Sequence, residues 1–160
     1  MADNHRAMIA TLPLTELLDS ADIQLGFQAP SGTAAIPRLL QPALMRRVHD
    51  PSVVSEIIEA AVKREQETST MCGAVSLPHA RSSKIDGFIL ALGVNAEGTI
   101  AGHHDPRLIF AFASPEGKRE QHLHLLASLA RLSQNPKLLD QIAAATTSDQ
   151  VIDALRSAGA

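Results

Sequence analysis

The sequence has few of the residues on which several classes of protein depend. A single cysteine, Cys72, among 160 residues excludes an internal disulfide and a metal site built from several cysteines. Aromatic residues make up only 2%, with no tryptophan or tyrosine, so the usual platforms for stacking nucleic-acid bases are missing. The formal net charge of -3 provides no excess of basic residues for a polyanion. We therefore expect no nucleic-acid partner, and we interpret Cys72 as a small packing residue.

The chain also lacks a long hydrophobic run. No apolar stretch approaches the ~20 residues that span a bilayer, and the first six residues do not have the pattern of a signal peptide. Hydrophobic residues make up 45% of the chain and charged residues 19%, which is ordinary for a soluble globular protein. We expect one domain over residues 1–160, located in the cytoplasm and at most peripheral to a membrane.

Apolar residues at helical spacing predict helices on both sides of a central group of strands. The first long helix is predicted over residues 33–48, with a kink or break at Pro42. Asp50 followed by Pro51 predicts the N-cap and first residue of a second helix that reaches about Glu67. Three more helices are predicted towards the C-terminus: one through His122 to Leu132, one over residues 137–145 and one capped by Ser148.

The strands predicted between these helices are short and apolar. Residues 23–27 alternate between apolar and polar, which is typical of a strand with one solvated face. Residues 74–77, 88–94 and 108–113 are apolar on both faces, which indicates a sheet covered on both sides. The sequence therefore predicts an α/β protein, with a mixed β-sheet between two helical layers in a three-layer α/β/α arrangement.

A histidine follows one of these strands directly. Pro78 suits the exit of a strand because it has no backbone N–H, and His79 comes next, with Arg81 two residues later. Imidazole is largely neutral, and so nucleophilic, near pH 7. A guanidinium can donate two parallel hydrogen bonds to a phosphoryl group. We interpret His79 as a residue that becomes a phosphohistidine; the alternative is an ordinary loop histidine that meets solvent.

A second histidine, His122, lies near the start of a predicted helix. The positive end of the helix dipole disfavours a charged imidazole and favours an anion nearby. His122 is therefore suited to one hydrogen bond with a phosphorylated neighbour, and the alternative is a capping or rim residue. His124 is two residues further on and points elsewhere, so we expect it at the surface.

The order of these motifs resembles the IIA domains of the phosphotransferase system, in their fructose/mannitol class. The resemblance covers about residues 12–158, and the His-Leu-His segment looks most like the nitrogen-regulatory branch. It is carried by Arg64-Glu65, Ser69-Thr70, Leu77-Pro78-His79-Ala80-Arg81, Pro115 and Gly117, and His122-Leu123 with the Leu-Ala-x-Leu-Ala-Arg run that follows. The family usually has three alternating glycines before its Pro-His box, whereas residues 71–76 here contain only one.

The resemblance implies a phosphocarrier that works without metal or nucleotide. His79 would accept a phosphoryl group from the phosphohistidine of the carrier HPr, or of its nitrogen-type relative. It would then pass the group to a IIB domain, in sugar transport, or keep it as a regulatory mark.

The resemblance also implies roles for four further residues. His122 would be the second active-site histidine, and Arg64 would offset the phosphate charge. Thr70 would add a hydroxyl hydrogen bond, and Arg81 would be a further, more variable phosphate ligand.

Two other functions fit the sequence. The same surface could act as a regulatory protein-binding module without sugar transfer, which the lack of an attached IIB or membrane segment favours. Alternatively, His103, His104 and Asp105, with His79, offer ligand types that suit zinc.

Overall fold

The computed structural model describes residues 13–29, 32–95 and 106–160, and the backbone of Thr99–Ile100 and His103–His104. Its helices are α1 (Leu14–Leu17), α2 (Gly32–Met45), α3 (Pro51–Glu67), α4 (Arg119–Leu132), α5 (Pro136–Ala143) and α6 (Ser148–Ser157), with a 3-10 turn at Ser20–Asp22. Its strands are β1 (Ile23–Leu25), β2 (Met71–Cys72), β3 (Val75–Ser76), β4 (His79–Ser82), β5 (Ile89–Val94), β6 (Thr99–Ile100), β7 (His103–His104) and β8 (Leu108–Pro115). No helix in the described residues has the length and apolar content needed to cross a membrane.

Six strands form one mixed sheet in the order β1-β5-β8-β3-β2, with β4 also paired to β8. At its centre β5 and β8 run antiparallel, from the pair Ile89↔Ala113 to the pair Val94↔Leu108. Strand β1 is parallel to β5, and both β3 and β4 are parallel to β8. Strands β6 and β7 form a separate antiparallel pair. The predicted mixed sheet is confirmed.

The sheet is covered on both faces, as its apolar runs predict. On β8, Phe110 and Phe112 face a core shared with α1, α4, α5 and α6. The alternating residues Ile109 and Ala111 face the opposite core, which α2 and α3 cover. The period-two alternation of a strand thus divides one apolar segment between two cores, and the three-layer α/β/α arrangement follows.

Pro78 separates two short strands that both pair with β8. Strands β3 and β4, on either side of Leu77 and Pro78, both pair with β8. The Pro78 carbonyl still accepts a hydrogen bond from Phe112 N at 3.1 Å, so only the missing proline N–H is lost from the ladder. The predicted strand exit before Pro78 is confirmed, because β3 ends at Ser76. The sequence did not predict that a further strand begins at once, with His79 as the first residue of β4.

Strand β1 ends two residues earlier than predicted. Gly26 has a φ of +62°, in the left-handed region that glycine adopts without strain, and the chain turns there. The turn brings the Phe27 ring onto Gly93 of β5, where an added Cβ would lie 2.9 Å from that ring. Gly93 is thus needed for close packing between this segment and the sheet.

Helix α2 is continuous through Pro42, so of the predicted kink or break the break is wrong, and the kink stays a prediction. Proline has no N–H to give to the carbonyl four residues earlier, which is that of Arg38. That carbonyl instead accepts a hydrogen bond from Gln24 Nε2 of β1 at 3.0 Å. A contact across the fold therefore replaces the bond that the helix lacks.

The helix caps agree with the sequence at two ends and differ at a third. Asp50 Oδ1 accepts a hydrogen bond from Ser52 N at 2.9 Å, and Asn135 Oδ1 accepts one from Leu138 N at 3.1 Å, as N-caps do. The cap of α6 is Thr147, however, whose Oγ1 accepts from Gln150 N at 3.2 Å. The prediction of Ser148 is wrong by one residue, because two adjacent hydroxyl residues offer the same signal.

Candidate active site

A cavity of about 440 Å³ lies where α3, β4 and the start of α4 meet. Its lining combines two histidines and three arginines with small or apolar side chains. The lining residues are His79, His122, Arg64, Arg81, Arg119, Ala60, Ala80, Leu123 and Leu126. Four of the five site residues predicted from the sequence thus line one cavity, although they come from three separate elements. The fifth, Thr70, is outside the lining.

The ring of His79 is held on one side by an aromatic ring and on its edge by a carbonyl. It stacks on Phe112, with ring centroids 4.8 Å apart and an interplanar angle of 11°. Phe112 is the β8 partner of His79 in the sheet register, so the pairing of β4 with β8 sets this stack. The residue is 4% exposed and lies in β4, so the alternative of an ordinary loop histidine that meets solvent is wrong.

The hydrogen bond of His79 decides which ring nitrogen is free. Nδ1 lies 2.7 Å from the carbonyl oxygen of Leu77. A carbonyl can only accept, so Nδ1 carries the proton in this contact. In the neutral ring, the lone pair is then on Nε2, which makes Nε2 the nucleophilic nitrogen.

His122 is close to His79 and is equally enclosed. The two ring centroids are 5.2 Å apart at an interplanar angle of 58°, and His122 is 5% exposed. His122 Nδ1 lies 2.6 Å from Oγ of Ser114, which is near the end of β8. The first turn of α4 therefore brings this histidine beside the candidate nucleophile, as the sequence predicts.

Both imidazoles are shifted towards their neutral forms. Burial lowers the pKa of His79 below its usual 6.5, the hydrogen bond to Leu77 opposes that effect, and the Arg64 charge adds to it. The pKa of His122 is lowered to about 4, chiefly by burial and in addition by the charges of His79, Arg81 and Arg64. A neutral imidazole keeps a lone pair, so the site favours the nucleophilic form of histidine.

The three arginines differ in how much of their hydrogen-bonding capacity is in use. Arg81 donates from its guanidinium to the Glu116 carbonyl at 2.6 Å. Within the part of the chain that the structure describes, the guanidinium groups of Arg64 and Arg119 have no hydrogen-bond or ion-pair partner. Both arginines line the cavity, so it contains two guanidinium groups whose N–H donors can bind an anion.

Thr70 contacts the segment that leads to His79. Its hydroxyl donates to Glu65 Oε2 at 2.7 Å and accepts from Leu77 N at 3.3 Å, while its backbone N donates to Glu65 Oε1 at 3.1 Å. Leu77 is the residue whose carbonyl holds the His79 ring. Thr70 thus supports the hydrogen bond that orients His79, and its predicted bond to a phosphoryl group stays a prediction.

The other residues that the sequence singled out lie away from the cavity or outside the described structure. His124 is exposed on α4, as expected. Cys72 is partly buried, with its Sγ 3.3 Å from Ser133 Oγ. For the zinc alternative, Asp105 and the side chains of His103 and His104 lie outside the described residues, and those that are described contain no cluster that could hold a metal ion.

Two residues of the site were missed in the sequence. Arg119 is three residues before His122 on α4 and so lies on the same face of the helix. This spacing could have identified Arg119 as a site residue. Ser114 lies on the same face of β8 as Phe110 and Phe112. A polar residue at the end of this apolar series could have indicated a site residue.

Comparisons with known proteins place nearly the whole chain in one family. The model of the family "Phosphoenolpyruvate-dependent sugar phosphotransferase system, EIIA 2" matches residues 16–158. The fructose-specific EIIABC component of Bacillus subtilis (strain 168) is 25% identical over 146 residues, which are 89% of this chain and 23% of that protein. The chain therefore spans about a quarter of the length of this relative.

Solved structures share the fold. The nitrogen regulatory protein IIA-Ntr of Neisseria meningitidis aligns with a TM-score of 0.71 at 21% identity, over 89% of this chain and 98% of that one. The mannitol enzyme IIA of Escherichia coli, in its complex with phosphorylated enzyme IIB, aligns with a TM-score of 0.69 at 21% identity, over 88% and 97%. With a family model that matches nearly the whole chain, the resemblance seen in the sequence is confirmed. The chain belongs to the EIIA 2 family of the phosphoenolpyruvate-dependent sugar phosphotransferase system.

Proposed function

We propose that this protein is a phosphocarrier that holds a phosphoryl group on Nε2 of His79. The group comes from the phosphohistidine of HPr or of its nitrogen-type relative, and it passes to a IIB domain or serves as a regulatory mark. The observation that carries the proposal is a neutral histidine whose Nδ1 is bound to a carbonyl, in a cavity shared with two guanidinium groups, those of Arg64 and Arg119, that have no partner among the residues the structure describes.

The transfer needs no co-reactant beyond the donor. The Nε2 lone pair of His79 forms a bond to phosphorus as the phosphorus–nitrogen bond of the donor breaks, and the electron pair of that bond returns to the donor imidazole. Both bonds are of the same kind, so the free-energy change is small, and positioning and electrostatics provide the catalysis.

The charged residues around His79 suit the transferred group. Arg64 and Arg119 can each donate paired hydrogen bonds to phosphoryl oxygens, and Arg81 has donors beyond the one bound to Glu116. The low pKa of His122 keeps its imidazole neutral. A neutral imidazole can donate one hydrogen bond to the phosphoryl group without transferring its proton to the nucleophile His79. Thr70 acts through the Leu77 segment, which keeps the His79 ring in its orientation.

The rim of the cavity suits a protein donor and acceptor. Leu123 is 53% exposed, one of the few large apolar side chains on the described surface, and it borders the cavity with Leu126 and Ala60. An apolar border around a charged centre is typical of surfaces on which a protein partner docks. This arrangement supports transfer from one folded protein to another.

The test is phosphorylation with phosphoenolpyruvate, the first enzyme of the system and a carrier. The assay uses both a sugar-type and a nitrogen-type HPr, because the cavity chemistry is the same for either. We expect one acid-labile phosphate per chain with at least one carrier, and none in the His79→Ala variant.

The matched control is His124→Ala, which removes an exposed histidine of α4 that does not line the cavity, and it should be labelled like the wild type. Label that persists in His79→Ala would overturn the proposal. Transfer onward to a IIB domain, followed in the same reaction, separates the transport role from a purely regulatory one.

A further inference from the structure

Ser114 is the most deeply buried polar side chain beside the cavity. It is 0% exposed and lies on β8, directly opposite Arg81 of β4 in the sheet register. Its hydroxyl lies 2.6 Å from His122 Nδ1. Within the described residues, this nitrogen is the one hydrogen-bond partner of the hydroxyl.

This geometry decides where the protons lie. A fully buried hydroxyl has no water to bond, and a buried donor without an acceptor is costly. If His122 Nδ1 were protonated, the Ser114 hydroxyl proton would have no acceptor there. If the hydroxyl donates to Nδ1 instead, both groups are satisfied, and the imidazole proton must be on Nε2.

We propose that Ser114 is a positioning residue that fixes His122 in its Nε2–H tautomer, so that His122 donates a hydrogen bond to the phosphoryl group on His79. This inference rests on the proposed function, because it assigns a role to His122 in the same transfer.

The two histidines then have opposite tautomers in one cavity. The Leu77 carbonyl accepts from Nδ1 of His79 and leaves its Nε2 as a nucleophile. The Ser114 hydroxyl donates to Nδ1 of His122 and leaves its Nε2 as a donor. With the other tautomer, His122 would turn a lone pair towards the phosphoryl oxygens, and that contact would be repulsive.

The tautomer can be measured directly on unphosphorylated protein. Long-range ¹H–¹⁵N correlation spectra of histidine-labelled protein at pH 7.5 separate protonated from unprotonated ring nitrogens. The His122 signals are assigned by their loss in His122→Asn. We expect a protonated Nε2 and an unprotonated Nδ1 in the wild type, and averaged nitrogen shifts from mixed tautomers in Ser114→Ala. A protonated Nδ1 in the wild type, or the same tautomer in both proteins, would overturn the proposal.

The rate of phosphoryl transfer gives a second readout. Loss of one oriented hydrogen bond in the transition state predicts a rate about tenfold lower in Ser114→Ala. Ser114→Thr keeps the hydroxyl and should restore both the tautomer and most of the rate. The control Ser76→Ala removes a buried serine of β3 and should retain the wild-type rate. An unchanged rate in Ser114→Ala, despite an altered tautomer, would also contradict the assigned role.

The two proposals fail in different ways. Wild-type protein that takes no label would overturn the phosphocarrier function, whatever the spectra show. Labelled protein with the wrong His122 tautomer would leave the phosphocarrier function standing and remove only the role of Ser114.

Discussion

At the scale of single residues, burial controls the chemistry of this protein. His79 and His122 are 4% and 5% exposed, so charging either ring means placing a cation where little water can solvate it. Both pKa values are lowered for that reason. The same burial that keeps both rings neutral makes the folded state sensitive to acid.

We therefore expect stability to fall as the pH drops from about 6.5 towards 4. In that range the unfolded chain binds protons on these histidines and the folded protein does not, so protonation favours unfolding. For His122, a pKa of about 4 against 6.5 corresponds to a loss of up to ~3 kcal/mol. Urea unfolding at a series of pH values measures it.

The variant His122→Asn keeps an acceptor for the Ser114 hydroxyl but cannot titrate, so its stability should depend less steeply on pH in this range. His124→Asn, at an exposed position of the same helix, should retain the wild-type slope. Equal slopes in all three proteins would contradict this account.

The residues that could be found from sequence are those with a local signature. His79 follows a proline, and His122 lies near the start of a helix, so the neighbouring residues in the sequence identify both as candidate site residues. Ser114 was missed, and the contacts of Thr70 to Glu65 and Leu77 were not predicted, because both depend on groups that only the fold brings together. A pattern in the chain does not show which groups the fold will bring within 3 Å of each other.

At the scale of elements, periodicity and capping predicted most of the fold. The apolar runs predicted a sheet covered on both faces, and Asp50 predicted the start of α3, because both signals depend on neighbouring residues. The continuity of α2 through Pro42 could not be predicted, since it depends on Gln24 from another element. The pairing of both β3 and β4 with β8 likewise could not be predicted, since it depends on the register between strands that are distant in the sequence.

The cap of α6 gives a test at this scale. Thr147→Ala removes the side-chain acceptor of Gln150 N and should cost about 1 kcal/mol in the free energy of unfolding. Ser148→Ala changes a residue already inside the helix, where alanine has the higher helix propensity, and should cost nothing measurable. Urea unfolding of the two variants compares them, and the reverse order would show that Ser148 is the true cap.

At the scale of the whole molecule, charge is distributed unevenly. The formal net charge is -3, yet three arginines line one cavity. Positive charge in a concave site attracts anions at long range, and salt screens that attraction. A phosphoryl donor should therefore be drawn to the cavity although the chain as a whole is acidic.

Phosphorylation by phosphoramidate, a small donor that needs no protein docking, tests whether the cavity arginines attract an anionic phosphoryl donor. We expect Arg119→Gln to lower the rate of His79 phosphorylation about threefold at low salt, and the difference to shrink at high salt. The control is Arg131→Gln, which removes an arginine of the same helix outside this cavity. Equal rates for both variants at low salt would remove Arg119 from the anion site.

The Phe112 ring beneath His79 also limits how a donor can approach. The lone pair of an imidazole nitrogen lies in the plane of its ring, and Phe112 covers one face of that ring. In the proposed transfer, phosphorus would therefore approach Nε2 edge-on, along the plane of the His79 ring, and not across the face that Phe112 covers. A donor that presents its phosphoryl group on a protruding side chain can follow that path, whereas a broad, flat molecule cannot.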